Sequence, residues 1–302
     1  MSTAPHIVVI GDVIDDVQAV TKGDIRPDTD TLANIAVRPG GSAANTACWL
    51  GNRGLDITFY GRVGANDMAR HTLEFERFGV VPILQADADK PTGTIVVIVQ
   101  GEARSMLSDR GANVTLDVSD VLLDVSERPH ILHLTGYSFF HRNSIDDLIG
   151  VMQRTRDVGG HVMIDCSSSG FLEDHGASWW WDIAEHATII KGNGDEAEFL
   201  TGYRGDAAAK SLAERGFIAI VTGGADGASW CEPGGEPRHL PAHPLGPEGF
   251  VDPTGAGDAF SAGFLAGLAV GDSLEECVRE GLKTSAEAIS QPGARPSSPQ
   301  MH

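Results

Sequence analysis

The chain predicts an α/β fold: a three-layer, mostly parallel central sheet with helices on both faces, plus a small β-sheet lid. Three observations carry this. Short apolar runs of strand length recur at Ile7 to Ile10, Ile57 to Tyr60, Ile131 to Leu134, Val162 to Asp165, Thr188 to Lys191 and Ile218 to Val221. In the second half they alternate with helical segments, which implies crossovers and parallel pairing. Two further stretches break that rhythm and read as strands outside the main sheet, at residues 13–38 and 91–110. At 302 residues the chain is expected to form one domain across 1–302, without a linker or internal repeat.

Taken in order, Ile7 to Ile10 is continuous and β-branched, as a strand buried on both faces should be, and delivers Gly11-Asp12 at its end. Residues 14–38 interleave valines and isoleucines with Asp15, Asp16 and Lys22, which predicts short antiparallel strands. Gly40-Gly41 then opens an Ala-rich helix punctuated by Gly51 and Gly54. An amphipathic helix is expected over Asn66 to Phe78. Ile83 is read as the start of the second excursion, which contains a hairpin from Thr94 to Val99 and Arg104 to Leu107. Later helices are expected near Ser144 to Val158, Asp195 to Leu200 and Ala207 to Arg215. A hairpin follows at Ala228 to Glu232 and Arg238 to Leu240, and the last helix spans Leu274 to Ile289. Parallel sheets bind ligands beyond the carboxyl ends of their strands, here Asp12, Gly136, Asp165, Lys191-Gly-Asn193 and Thr222-Gly-Gly224.

The stretch Val251-Asp252-Pro253-Thr254-Gly255-Ala256-Gly257-Asp258 carries the chemistry. Glycines before a helix let a ligand approach the backbone, and the helix start offers unpaired N–H groups and positive potential to an anion. Asp258 places a carboxylate beside that anion, which points to a general base activating a nucleophile for phosphoryl transfer. Helix capping by Asp258 is the plainer alternative.

Net charge is −20, from 22 basic and 42 acidic residues, so neither nucleic acid nor an anionic membrane is expected as a partner. Phosphate would need local help from helix termini and divalent cations. The cysteines, Cys48, Cys166, Cys231 and Cys277, are too dispersed for a disulfide framework or a zinc site. No signal peptide or membrane-length apolar run is evident, and the expected location is cytoplasmic. Neither Gly-x4-Gly-Lys-Ser/Thr nor Gly-x-Gly-x-x-Gly after the first strand is present. His239 and His243 are spaced as a helical metal pair, but Pro241 and Pro244 exclude the helix.

Together these elements resemble the ribokinase, or PfkB, family of sugar and nucleoside kinases. Pro39-Gly-Gly-Ser-Ala-Ala-Asn45 is similar to its N-terminal signature and Asp252-Pro-Thr-Gly-Ala-Gly-Asp258 to its C-terminal one. Between them Asn193-Gly-Asp-Glu196 is similar to the Asn-x-x-Glu element, with Asp109-Arg-Gly-Ala-Asn113 and Val221-Thr-Gly-Gly-Ala-Asp-Gly227 in the expected order. The resemblance implies an ATP-dependent kinase phosphorylating a hydroxymethyl group of a small sugar or sugar-like alcohol. Asp258 would be the base, and the amides of Gly255, Ala256 and Gly257 the anion hole. Asn193, Thr222, Gly224 and Gly227 would serve the nucleotide; Glu196 would act on Mg²⁺ through water. Asp12, Gly40, Gly41, Asn45, Arg104 and Asn113 would serve the substrate. The resemblance also implies that Asp252, with Thr254 and Gly293, would be the place for a monovalent cation such as K⁺.

Pro253 departs from the family's usual Thr or Cys, and Ser42-Ala43 from the Lys-Gly or Asn-Ala of some branches, so no particular substrate transfers. A nucleoside (adenosine-type) kinase is the alternative, with Trp49 or Phe139 as candidates for a base slot. A non-catalytic sugar or nucleotide sensor is the other. Apolar lid strands suggest a homodimer formed through the lid.

Overall fold

The computed structural model describes residues 5–101, 103–119, 121, 130–140 and 145–297. Thirteen strands are described. The first, β1 (Ile7–Ile10), is fully buried and lies deep within a nine-stranded sheet, parallel to β4 (Ile57–Gly64) on one side and to β8 (Ile131–Thr135) on the other. Its four apolar residues explain the placement, since a side chain of this size gains about 1.5–3 kcal/mol on full burial. The order continues through β9 (His161–Asp165), β10 (Ile189–Asn193) and β11 (Ile218–Thr222), all parallel. Beyond β11, β12 (Ala228–Cys231) and β13 (Arg238–Leu240) run antiparallel and close one edge, as the hairpin reading anticipates.

The other edge brings a correction. Ile83 lies in β5 (Val81–Asp87), which pairs parallel with β4 inside the main sheet. Its first four residues alternate between exposed and half-buried, as on an edge strand, so the run lacks the continuous apolar character that identifies the interior strands.

The smaller sheet has the order β3-β2-β6-β7, from β2 (Ile14–Thr21), β3 (Ala33–Gly40), β6 (Gly93–Gln100) and β7 (Ala103–Asp109). β2 pairs antiparallel with β3 and parallel with β6, and β6 and β7 form the expected hairpin.

Helices cover both faces of the main sheet. Those on one face are α1 (Ser42–Gly51), α2 (Met68–Glu76), α8 (Ala256–Val270) and α9 (Leu274–Ile289), with Phe59, Phe75, Phe260 and Phe264 in the core beneath them. On the other face lie α3 (Asp146–Asp157), α4 (Ser169–His175), α5 (Ala177–Ala184), α6 (Gly194–Thr201) and α7 (Gly205–Glu214). The pair α4 and α5 is an addition to the predicted set. Gly176, at φ +85°, breaks what would be one helix, and three consecutive tryptophans, Trp179 to Trp181, blur the amphipathic period. Ser144, the expected start of α3, falls outside the described residues. Among the described residues, no helix is long and apolar enough to cross a membrane.

Candidate active site

The carboxyl ends of the parallel strands, the start of α8 and the inner face of the smaller sheet enclose a cavity of about 460 Å³. Asp258 is at its floor, in the first turn of α8. Ser42 Oγ donates to Asp258 Oδ1 at 2.6 Å and Asn45 Nδ2 donates to Oδ2 at 2.8 Å. Thr46 Oγ1 also donates to the Asp258 carbonyl, at 3.2 Å. Helix α1 therefore meets the start of α8 across more than two hundred positions of sequence, and its small residues are what allow the approach. Burial pushes the Asp258 carboxyl up to about 7; the hydrogen bonds from Ser42 and Asn45 pull down, Asp165 pushes up, and Lys191 pulls down. A group so poised accepts a proton near neutral pH. The capping alternative finds no support in geometry, because the N-cap of α8 is Gly255 and no side chain caps it.

Two glycines have conformations that the site requires. Gly255 has φ +77°, and a Cβ there would lie 2.7 Å from Ala294 Cα. Gly41, the N-cap of α1, has φ +97°, and a Cβ would lie 2.4 Å from the Asp12 carbonyl oxygen. Of the proposed anion hole, Ala256 and Gly257 line the cavity and Gly255 does not. Ala256 N–H reaches Pro253 O at 3.3 Å, whereas the amides of Gly257 and Asp258 precede the ladder bond from Ala259 N–H to Gly255 O.

A buried ion pair supports this floor. Lys191 Nζ donates to Asp165 Oδ2 at 2.6 Å and to the Gly257 carbonyl at 3.2 Å. Burial alone would lower the Lys191 pKa, but Asp165 raises it further, so the ammonium stays charged. Asp165 also accepts from Ser261 Oγ at 3.2 Å and Ser167 N–H at 3.2 Å. Sequence reading placed Lys191 and Asp165 at strand ends but gave them no role; the register of β9 against β10 pairs them.

Nearby, Asn193 and Glu196 form a capping box at the start of α6. Asn193 Oδ1 accepts from Asp195 and Glu196 N–H, while the Glu196 carboxylate accepts from Asn193 N–H and Nδ2. Both side chains also line the cavity. Burial pushes Glu196 up to about 7, with Asp165 adding to it. Thr222 and Gly224 border the same end. Gly227 does not; a Cβ there would lie 2.0 Å from the Leu240 carbonyl, so its glycine serves the close packing of the β12–β13 hairpin.

At the other end, Asp12 and Gly41 line the cavity. Asp12 accepts from Ala43 N–H at 3.1 Å and Ser42 N–H at 3.3 Å, and Arg110 Nη2 lies 3.3 Å from its Oδ2. Sequence reasoning missed Asp16. It reaches the cavity from β2, and burial followed by the charge of Asp12 pushes its carboxyl up to about 6. Gly40 makes room for it, because a Cβ at 40 would sit 2.1 Å from Asp16 Oδ2. The alternation of β2 relative to its neighbours was the available signal.

Other expectations fall away from the cavity. Asn113 Oδ1 accepts from Val13 N–H at 2.8 Å, and its Nδ2 donates to the carbonyls of Val13 and Arg110, so its amide clamps the entry to β2. Trp49 and Phe139, the candidates for a base slot, are both buried in the hydrophobic core. Ile95, Val97, Met106 and Tyr137 supply the apolar wall instead. Arg104 pairs with Val99 across the β6–β7 hairpin, and its side chain lies outside the described residues. Asp252 Oδ1 accepts from Thr254 N–H and Oγ1, and its Oδ2 from Gly293 N–H, which brings these three together at the cavity wall.

Against known proteins, the pfkB family carbohydrate kinase model matches residues 4–301. The chain belongs to the PfkB family of carbohydrate kinases. It is 32% identical over 249 residues to an uncharacterized sugar kinase of Archaeoglobus fulgidus, covering 82% of this chain and 96% of that protein. It is 29% identical to an adenosine kinase of Saccharomyces cerevisiae, covering 88% and 80%. Among solved structures, the adenosine kinase of Sinorhizobium meliloti superposes with TM-score 0.85 at 25% identity, covering 98% of this chain and 97% of that one. The ribokinase of Arabidopsis thaliana, complexed with ribose and ATP, shares the fold with TM-score 0.79 at 23% identity, covering 98% and 96%. This PfkB-family chain is thus a kinase with a ribokinase-like fold, comprising a large mixed sheet and a smaller separate one.

Proposed function

We propose that this kinase transfers the terminal phosphoryl group of ATP to a hydroxymethyl group of a small sugar or sugar-like alcohol. The observation that carries the reading is Asp258: a half-buried carboxylate at a helix N-terminus, held by Ser42 and Asn45 and open to the cavity. Asp258 takes the proton from the acceptor hydroxyl as its oxygen forms a bond to the terminal phosphorus. The bond from that phosphorus to the bridging oxygen breaks, and ADP leaves with the electron pair. The amides of Gly257 and Asp258, with Ala256 beside them, face the charge that develops on the phosphoryl oxygens. Asp12 and Asp16 accept hydrogen bonds from the acceptor's other hydroxyls and so orient it. The smaller sheet acts as the lid, whose strands exclude water so that ATP is not simply hydrolysed.

The donor set fits Mg²⁺. Asp165, Glu196 and Asp258 share this end of the cavity with Lys191 as the nearby cation, and phosphates would add further negative charge. Among the described residues no group of three His, Cys, Asp or Glu side chains is placed to hold a metal ion by itself, and Mg²⁺ commonly keeps waters and uses substrate phosphates as ligands. Glu196 and Asn193 would hold it through water; when bound, the ion supplies charge neutralisation on the phosphates. Asp252, Thr254 and Gly293 are the candidate surroundings for K⁺.

A second reading, a nucleoside kinase, is favoured by one observation: the wall formed by Ile95, Val97 and Met106 suits the face of a base. The adenosine kinase relatives agree with it. Coupled ADP detection across sugars, sugar phosphates and nucleosides with Mg²⁺ and K⁺ separates the two. Failure of every acceptor would overturn the kinase assignment and leave a sensor of sugars or nucleotides.

The pH profile follows from the base. Its folded pKa is raised to about 7, so the active, deprotonated form is lost as pH falls through that value. We expect kcat/KM to fall about tenfold per unit below pH ~7. A flat profile between about pH 5.5 and 8 would contradict the assignment of Asp258.

The outer face of the lid exposes Ile35, Val37 and Leu107 at 60–67%. A homodimer through this sheet would cover them. Sedimentation equilibrium at micromolar concentration is expected to return twice the 31.9 kDa chain mass, and a monomer would exclude the dimer.

A further inference from the structure

Behind the catalytic floor is a guanidinium that the reaction as described does not use. Arg295 follows α9 and is 6% exposed. Its Nε donates to Asn45 Oδ1 at 3.2 Å, and its Nη2 donates to the Gly40 carbonyl at 3.0 Å. The guanidinium carbon is 5.3 Å from the Phe75 ring centroid, and Nη1 has no hydrogen-bond partner among the described residues. A buried arginine is costly unless its placement returns something.

What it returns is an orientation. Asn45 lies between a group that only donates and, once Asp258 is ionised, one that only accepts. Arg295 therefore fixes Oδ1 toward itself, and the amide NH₂ is left to face Asp258, where Nδ2 bonds Oδ2 at 2.8 Å. A free asparagine amide presents either end with little preference, and a flipped one would set oxygen against carboxylate. The second bond, to Gly40 O, fixes the guanidinium itself, so that its Nε stays on Asn45 Oδ1.

We propose that Arg295 is a positioning residue for phosphoryl transfer, acting through Asn45 to keep the amide's donor end on Asp258. The inference rests on Asp258 being the base. It assigns to Arg295 a part in catalysis that the sequence reading did not give it.

A double-mutant cycle on kcat tests it, using Arg295→Met and Asn45→Ala in the full chain. Arg295→Met is expected to lower kcat by about 10–100-fold and to leave KM for ATP within about threefold. In the Asn45→Ala background the same substitution should change kcat by less than about threefold, because its effect already passes through the missing amide. Arg295→Lys keeps the charge without the planar fork and should remain impaired by a similar factor. It also serves as the arm to read if Arg295→Met does not fold. Losses that multiply in the double variant, or full activity in Arg295→Lys, would overturn the proposal. Asp258→Asn distinguishes this failure from that of the base itself. If Asp258→Asn retains turnover, the base reading falls; if it abolishes turnover while the cycle is multiplicative, only the role of Arg295 falls.

Discussion

Asp258→Asn is expected to reduce kcat by about 10²–10⁴-fold while acceptor and nucleotide binding change by only a few fold. The substitution keeps the shape of the side chain and an acceptor for Ser42 Oγ, now 2.6 Å from Oδ1, but removes the atom that takes the proton. Burial already works against the carboxylate, which offsets part of the cost of setting the new NH₂ against Asn45 Nδ2, now a donor 2.8 Å from Oδ2. Coupled ADP release gives the rate, and calorimetric titration gives the binding constants. An unchanged kcat would show that the proton leaves by another route. A matched loss of binding and rate would place Asp258 in ligand binding rather than in proton transfer.

Lys191→Met should be the most destabilising of the substitutions considered, by about 3–5 kcal/mol. It leaves Asp165 buried, with Ser261 Oγ and Ser167 N–H as its donors among the described residues, and no ammonium at 2.6 Å. The same change frees the Gly257 carbonyl from its bond to Nζ, so the floor of the anion site loosens along with the sheet. Combining it with Asp165→Asn should recover most of the stability, since the uncompensated charge is gone. Urea unfolding measures both. A loss below about 1 kcal/mol in the single variant would mean that water reaches the pair and screens it.

Much of this architecture is legible in the chain. The run Ile7 to Ile10 announces an interior strand because every residue is apolar and β-branched or long, and it is flanked by parallel neighbours as expected. Gly-Ala-Gly-Asp announces a helix start with a carboxylate in its first turn, and α8 begins at Ala256. The hairpins at β6–β7 and β12–β13 follow from β-branched runs and intervening turns. Where the reading failed, local signals conflicted. Edge strand β5 is half-exposed and so resembles a lid strand, and of the three adjacent tryptophans of α5 only Trp180 is on the buried side with Ile183 and Ala184.

The site divides along the same line. Residue type and spacing determined that a carboxylate would follow a glycine turn at a helix start, and that two glycines would open another helix; each depends on neighbours within a few positions. Only the tertiary structure decided that Asp16 faces the cavity while the Asn113 amide is spent on Val13, that Lys191 neutralises Asp165, and that Arg295 turns Asn45 toward Asp258. Those outcomes depend on sheet register and on segments up to 255 positions apart coming within hydrogen-bond distance. A sequence motif specifies the chemistry of a local backbone. Which distant donor or acceptor completes it is set by packing, because hydrogen bonds extend about 3 Å and are decided by geometry after the chain has closed.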